Sequence, residues 1–289
     1  MAVTVIGDAF IDIIVPAHDI EPGGTYHRDI LATCGGTATT AIQIAKLGEE
    51  ASFLGRVGND ALGQYFKENL KKNQVKDMTV VDNDHDTGLC VAMVYANGER
   101  SMVAYRGANN CLAGQDIENR INAIFKSKII YLSGYSLAKM DVGETLPILK
   151  RCRDKGCEVW FNPGAPNIIT ASLKYTIQQF FDVLILNLDE AKALTGKRSI
   201  VEMKAELEQF ARFTIITMGE EGCFLLKDGQ STVVGSKVVK NITDTTGAGD
   251  AFSAGFIVGR LRHLPDIECA QLAHHTAARF LEDKEGFNQ

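Results

Sequence analysis

Hydrophobic positions along this chain change period repeatedly, and the changes mark its elements. The opening "AVTVIGDAFIDIIV" is a run of β-branched and apolar residues, interrupted only by Gly7-Asp8. It predicts a buried strand with polar groups at its end. Residues 16–33 are turn-rich. "GGTATTAIQIAKLG" then places Ala41, Ile42, Ile44, Ala45 and Leu47 at helical spacing, entered through two glycines and closed by Gly48. "ASFLGRVG" reads as a strand and "DALGQYFKENLKKNQV" as an amphipathic helix.

From residue 87 to 106 two strand-like runs flank Asn97-Gly98, a hairpin signal. Thereafter short apolar runs ("KIIYLSG", "CEVWFNPG", "DVLILN", "FTIITMG") alternate with helical patterns. A second hairpin, "GCFLLKDGQSTVVG", precedes two closing helices, "AGDAFSAGFIVGRLRHL" and roughly 266–282. This rhythm predicts an α/β fold, a mainly parallel sheet with helices on both faces. The segments at about 15–34 and 86–107 break the rhythm and predict a small β lid. With no repeat or linker in view, residues 1–289 read as a single domain carrying that lid.

Bulk composition excludes more than it assigns. An apolar share of 45% with 23% charged residues suits a globular protein. A net charge of −6 argues against a nucleic-acid partner. No apolar run reaches membrane-spanning length and the N-terminal residues lack a basic start, so neither a membrane nor an export signal is expected. Seven scattered cysteines without a C-x-x-C pair disfavour disulfide frameworks and zinc sites, and point to a cytoplasmic protein. His274-His275 reads as surface or packing, and Trp160 as core.

The most informative stretch is "DTTGAGDAFSAGF", residues 244–256. Glycines before a helix let backbone N–H groups approach a ligand, and a helix N-terminus favours an anion. Gly247, Ala248 and Gly249 therefore suggest an oxyanion cradle, with Asp250 supplying a carboxylate in the first turn. A plain capping acid beside a turn explains the same residues. The dinucleotide fingerprint fails at Phe252, where a third glycine is required, and no P-loop occurs.

In order along the chain stand "GGTATTA" (35–41), "GRVGNDALG" (55–63), "GER" (98–100), "RGAN" (106–109), "NLDE" (187–190), "TMGEEG" (217–222) and "DTTGAGDAF" (244–252). Together they resemble the PfkB, or ribokinase-like, family of carbohydrate and nucleoside kinases over essentially the whole chain. The resemblance implies a Rossmann-like domain with a small β-sheet lid. It implies Asp250 as the base taking the proton of the acceptor hydroxyl, and Gly247, Ala248 and Gly249 as the anion hole. On the donor side it implies Asn187 and Glu190 near the phosphates and the Mg²⁺–water network. Glu190 would act on the metal through water, and Thr217, Gly219 and Gly222 would lie in the ATP loop. On the acceptor side it implies Asp12, Gly35, Gly36, Thr40, Arg106 and Asn109. The family commonly has Asn at the position of Thr40, and "NPG" at 162–164 keeps only Asn162 of a "D-x-N-x-R" pattern.

The resemblance thus implies ATP- and Mg²⁺-dependent phosphorylation of a hydroxymethyl group on a small sugar. A nucleoside acceptor, contacted by Tyr26, Tyr105 or Tyr135, and a 2-keto-3-deoxy sugar acid, paired with Arg106, are the alternatives. A sugar or nucleotide sensor without turnover is the alternative of another class. Lid residues Val91, Met93 and Val103 are expected to bury against sugar or a second copy, giving a homodimer through the lid.

Overall fold

The structure is a computed structural model that describes residues 2–285 apart from 19, 21, 22, 28, 96–99, 179 and 237–244. The Asn97-Gly98 turn, "GER" up to Glu99 and Asp244 lie outside the described residues.

Among the described residues fifteen strands form: β1 (Val3–Ile6), β2 (Ala9–Pro16), β3 (Leu31–Gly36), β4 (Ala51–Leu54), β5 (Arg56–Gly58), β6 (Lys76–Asp77), β7 (Val80–Asp82) and β8 (Gly88–Val94). There follow β9 (Arg100–Tyr105), β10 (Ile129–Ser133), β11 (Glu158–Asn162), β12 (Phe181–Asn187), β13 (Ala211–Thr217), β14 (Cys223–Lys227) and β15 (Gln230–Val234). The large sheet has the order β15-β14-β13-β12-β11-β10-β1-β4-β6. It is parallel from β6 to β13, and the expected second hairpin, β14–β15, adds two antiparallel strands at one edge.

Alternation within the strands explains the layers. Ile129 and Tyr131 of β10 pack into one apolar cluster with Trp160, Phe213 and Phe256. Their neighbours Ile130 and Leu132 pack into a second with Phe161, Leu184 and Phe224. Side chains of period two therefore bury on both faces, which requires helices on both. Trp160 is a core residue, as the pattern predicts.

The second sheet has the order β3-β2-β8-β9. Its first strand is a surprise for pattern reading. The opening apolar run is two strands in two sheets, so the small sheet begins at Ala9 rather than near residue 15. Gly7-Asp8 marks the joint, where a side chain on Gly7 would collide with Thr37. Asn109 holds the far side of this joint. Its Oδ1 accepts from the Ala9 N–H at 2.7 Å and its Nδ2 donates to the Ala9 carbonyl at 2.9 Å.

From β1 the chain moves outward to β4 and β6, then returns to place β10 on the other side of β1. That reversal opens a crevice at the carboxyl ends of β1 and β10, the usual place for a ligand in an open α/β sheet.

Candidate active site

The crevice continues into a recess of about 950 Å³ between the large sheet, the small sheet and the helix Ala248–Leu261. That helix begins at Gly247, whose φ of 83° is left-handed and suits glycine. A Cβ there would stand 2.9 Å from the Phe280 ring, whereas at Gly249 the corresponding space is open. No side chain caps the helix, so its first turn presents backbone donors to the recess. Ala248 contributes less than its place in the motif implies, because its N–H turns back to the Thr245 carbonyl at 3.1 Å.

Asp250 lines the recess with one side and is enclosed on the others. Its carboxyl is pushed up to about 6, first by burial and further by the charge of Asp12; a hydrogen bond from Thr40 works in the opposite direction. An ordinary carboxylate held ionised by the helix end is therefore not what forms here. Desolvation outweighs the dipole.

Asp12, from β2, lines the recess as well. Gly35 lies behind it, and a Cβ on Gly35 would overlap the Asp12 carboxylate, so this glycine makes room for the acid rather than for a ligand. Gly36 reaches the recess itself, at φ 61°. Cys34 and Cys90 share that wall; burial, with help from Asp12, pushes their thiols up to about 12 and about 11, so they face the recess as neutral groups.

Arg106 also lines the recess, but its charge is committed. Its terminal nitrogens pair with Asp8 at 2.8 and 2.9 Å, and its Nε donates to the Asn110 side chain at 3.0 Å. Ser136 donates to the same Asp8 carboxylate at 2.7 Å. Asp8 is the recess residue that the sequence pattern does not single out; the break at Gly7-Asp8 is its only signal. Two further acceptor-side residues stand off the recess wall. Asn109 is fully buried and spends its amide on Ala9, and Thr40, fully buried, points its hydroxyl at Asp250. Neither lines the recess.

On the donor side, Asn187 and Thr217 are register partners at the carboxyl ends of β12 and β13. Asn187 caps the helix Leu188–Thr195: its Oδ1 accepts from the N–H groups of Asp189 and Glu190 at 2.9 Å. Glu190 answers by accepting from the Asn187 N–H and Nδ2, both at 2.9 Å. The two residues thus form a reciprocal capping box. Glu190 nevertheless lines the recess, and burial pushes its carboxyl up to about 7, with the charges of Asp250 and Asp189 adding to the rise and the Asn187 N–H opposing it. Gly219 and Gly222 form the turn after β13, with φ of 61° and 105°. Gly222 is required by sterics, since a side chain there would strike the Val234 carbonyl.

Elsewhere "GRVGNDALG" is structural. Asp60 caps the helix Ala61–Lys72 through the Gly63 N–H at 2.7 Å and accepts from both the N–H and hydroxyl of Thr87 at 2.7 Å. Asp82, His85 and Cys111 cluster as metal ligands would, outside the recess, but Asp82 already accepts from Arg56 and from the N–H groups of Asp84 and His85. His274 packs edge-on against Phe252. No helix among the described residues is long and apolar enough to cross a membrane.

Comparison with known proteins places the chain among relatives of one family. Residues 2–286 match the pattern of the pfkB family carbohydrate kinase. Mouse ribokinase is 27% identical over 283 residues, which cover 94% of this chain and 85% of that one. Rice fructokinase-2 is 27% identical over 87% of this chain and 77% of its own. Among solved structures, adenosine kinase from Sinorhizobium meliloti superposes with a TM-score of 0.87 at 25% identity, covering 97% of this chain and 94% of that one. Arabidopsis thaliana ribokinase complexed with ribose and ATP superposes at 0.79 and 23% identity, over 98% and 93%.

Proposed function

Since the chain belongs to the pfkB family of carbohydrate kinases and is an ATP-dependent sugar kinase, we propose that it phosphorylates a hydroxymethyl group of a small neutral sugar held between Asp12 and Asp250. The observation that carries this is Asp250 in the first turn of the uncapped helix Ala248–Leu261, facing the same recess as Asp12.

Asp12 accepts from hydroxyls of the sugar and fixes its orientation. Asp250 takes the proton of the attacking hydroxyl as that oxygen bonds to the γ-phosphorus and the bond to ADP breaks. The N–H groups at the helix start, led by Gly249, hold the equatorial phosphoryl oxygens as charge builds on them. ATP lies toward Asn187, Thr217, Gly219 and Gly222, with its transferring end at Gly247 and Gly249.

Mg²⁺ fits this site at one remove. Both Glu190 oxygens are held by Asn187, so Glu190 with Asn187 suits the water shell of the ion better than direct ligation. The ion, when bound, neutralises phosphate charge.

The pairing of Arg106 with Asp8 favours a neutral sugar over a keto-deoxy acid, whose carboxylate needs an uncommitted cation. A nucleoside is the second reading, supported by the apolar wall of Phe10, Ile14, Cys90 and Ala92 and by the likeness to an adenosine kinase. A sensor without turnover has no use for a base and a helix N-terminus on one acceptor site.

The small sheet acts as the lid of this site and as a dimer interface. Val103 and Tyr105, which share the face of β9 turned away from the recess, are both more than half exposed, an apolar strip that a second copy would cover. Seven free cysteines, six of them buried, support a reducing, cytoplasmic setting.

ADP release from ATP and Mg²⁺ across pentoses, hexoses, keto-deoxy acids and nucleosides tests the reading. Turnover with a neutral sugar supports it. Turnover confined to nucleosides or acids moves the acceptor, and tight ATP binding without turnover on any of them overturns it.

A further inference from the structure

Thr40 is shielded from the recess by its neighbours. It lies in the helix Ala38–Lys46, is fully enclosed, and is absent from the recess wall. Its hydroxyl donates instead to Asp250 Oδ1 at 2.9 Å, across 210 residues of sequence. The Tyr131 hydroxyl lies near Thr40 as well and donates to Ser253 Oγ at 3.3 Å. Ser253 sends its own proton to the Gly249 carbonyl at 2.8 Å. A threonine hydroxyl has one proton, and here it is given to one carboxylate oxygen. That bond engages Oδ1, while among the described residues none donates to Oδ2, on a residue that lines the recess.

We infer that Thr40 is a positioning residue for Asp250: it selects Oδ2 as the oxygen that receives the acceptor proton and holds the carboxylate ionised for that purpose. This rests on the reading of Asp250 as base. In an enclosed site a hydrogen bond to a charged acceptor is among the stronger ones, and it favours the charged form. The surroundings give it work to do. Asp12 on β2 opposes ionisation of Asp250 by like charge, and Asp250 in turn raises the carboxyl of Glu190 on the helix Leu188–Thr195. Tyr131 on β10 is neutral, burial holding its phenol well above the usual range. Arg106 is neutralised by Asp8. From the described groups facing it, Asp250 receives its stabilising side-chain hydrogen bond from Thr40.

The isosteric Thr40→Val removes the donor and keeps the shape; Thr40→Ser keeps the donor. Two readouts are needed: titration of the Asp250 carboxyl by NMR in the free protein, and pH profiles of kcat and KM with the acceptor found above. In T40V the Asp250 carboxyl titrates above its wild-type position near 6. At pH 7 kcat falls about tenfold, the worth of one hydrogen bond to a charged group, while KM for acceptor and ATP changes less than about twofold. The deficit shrinks toward pH 9, where the carboxylate ionises regardless, and T40S restores most of the rate. An unmoved titration in T40V overturns the inference, as does a raised acceptor KM with kcat intact. If the wild type phosphorylates nothing, the kinase reading fails, while the NMR titration still decides whether Thr40 governs Asp250.

Discussion

Asp8 and Arg106 join the two sheets by a two-pronged ion pair, with nitrogen–oxygen distances of 2.8 and 2.9 Å, at the mouth of the recess. The Asp8 carboxylate is buried, so removing its partner leaves a charge without compensation. Arg106→Ala should cost about 3 kcal/mol in urea unfolding and raise acceptor KM. Arg106→Lys should recover part of the stability, since a single ammonium cannot reproduce the fork.

Substituting Asp250→Asn should lower kcat by roughly 10²- to 10⁴-fold, the range of general-base catalysis, with ATP affinity retained by calorimetry. Near-normal turnover in this variant would remove Asp250 from the mechanism.

The same variant should be more stable than wild type above pH 6. Asp250 titrates near 6 in the fold against 3.8 when solvated, so ionising it works against folding. For a carboxyl raised in this way, stability is fully present below the unfolded value and is lost as pH rises through the folded one. D250N should therefore gain roughly 1–3 kcal/mol at pH 8, a gain that shrinks through pH 6 and vanishes near pH 4. Thermal melts across that range report it. Activity runs the other way, with kcat/KM falling as pH drops through about 6 because the base is protonated.

Gly35→Ala should act on the acceptor alone. Its Cβ displaces the Asp12 carboxylate, so acceptor KM rises by about tenfold or more, the effect of losing a hydrogen bond to a charged group, while ATP binding stays unchanged. Equal loss of both affinities would place Asp12 elsewhere in the mechanism.

Val103→Asp on β9 tests the dimer. Sedimentation should show a wild-type dimer and a monomeric variant; a wild-type monomer at micromolar concentration would end the proposal.

The alternation of strands and helices was legible because period and punctuation are local, and so was the Gly-Ala-Gly-Asp helix start. What stayed hidden depends on partners distant in sequence. Nothing in "AVTVIGDAFIDIIV" says that Ile6 and Ala9 belong to different sheets, since both strands are apolar and only their pairing with β10 and β8 separates them. Asn109 looked like a ligand contact because its bonds to Ala9 lie a hundred residues back. Thr40 looked like a shortened sugar contact because the geometry of Asp250 was not yet in view.

The small sheet draws its strands from two separate stretches, residues 9–36 and 88–105, and β1 passes into β2 after only two intervening residues. Such a cover cannot be excised as a cassette. A deletion that removed it would cut the chain twice and sever β1 from the helix that carries Thr40. Engineers wishing to exchange acceptor preference between relatives would do better to recombine side chains on an intact frame than to transplant the cover whole.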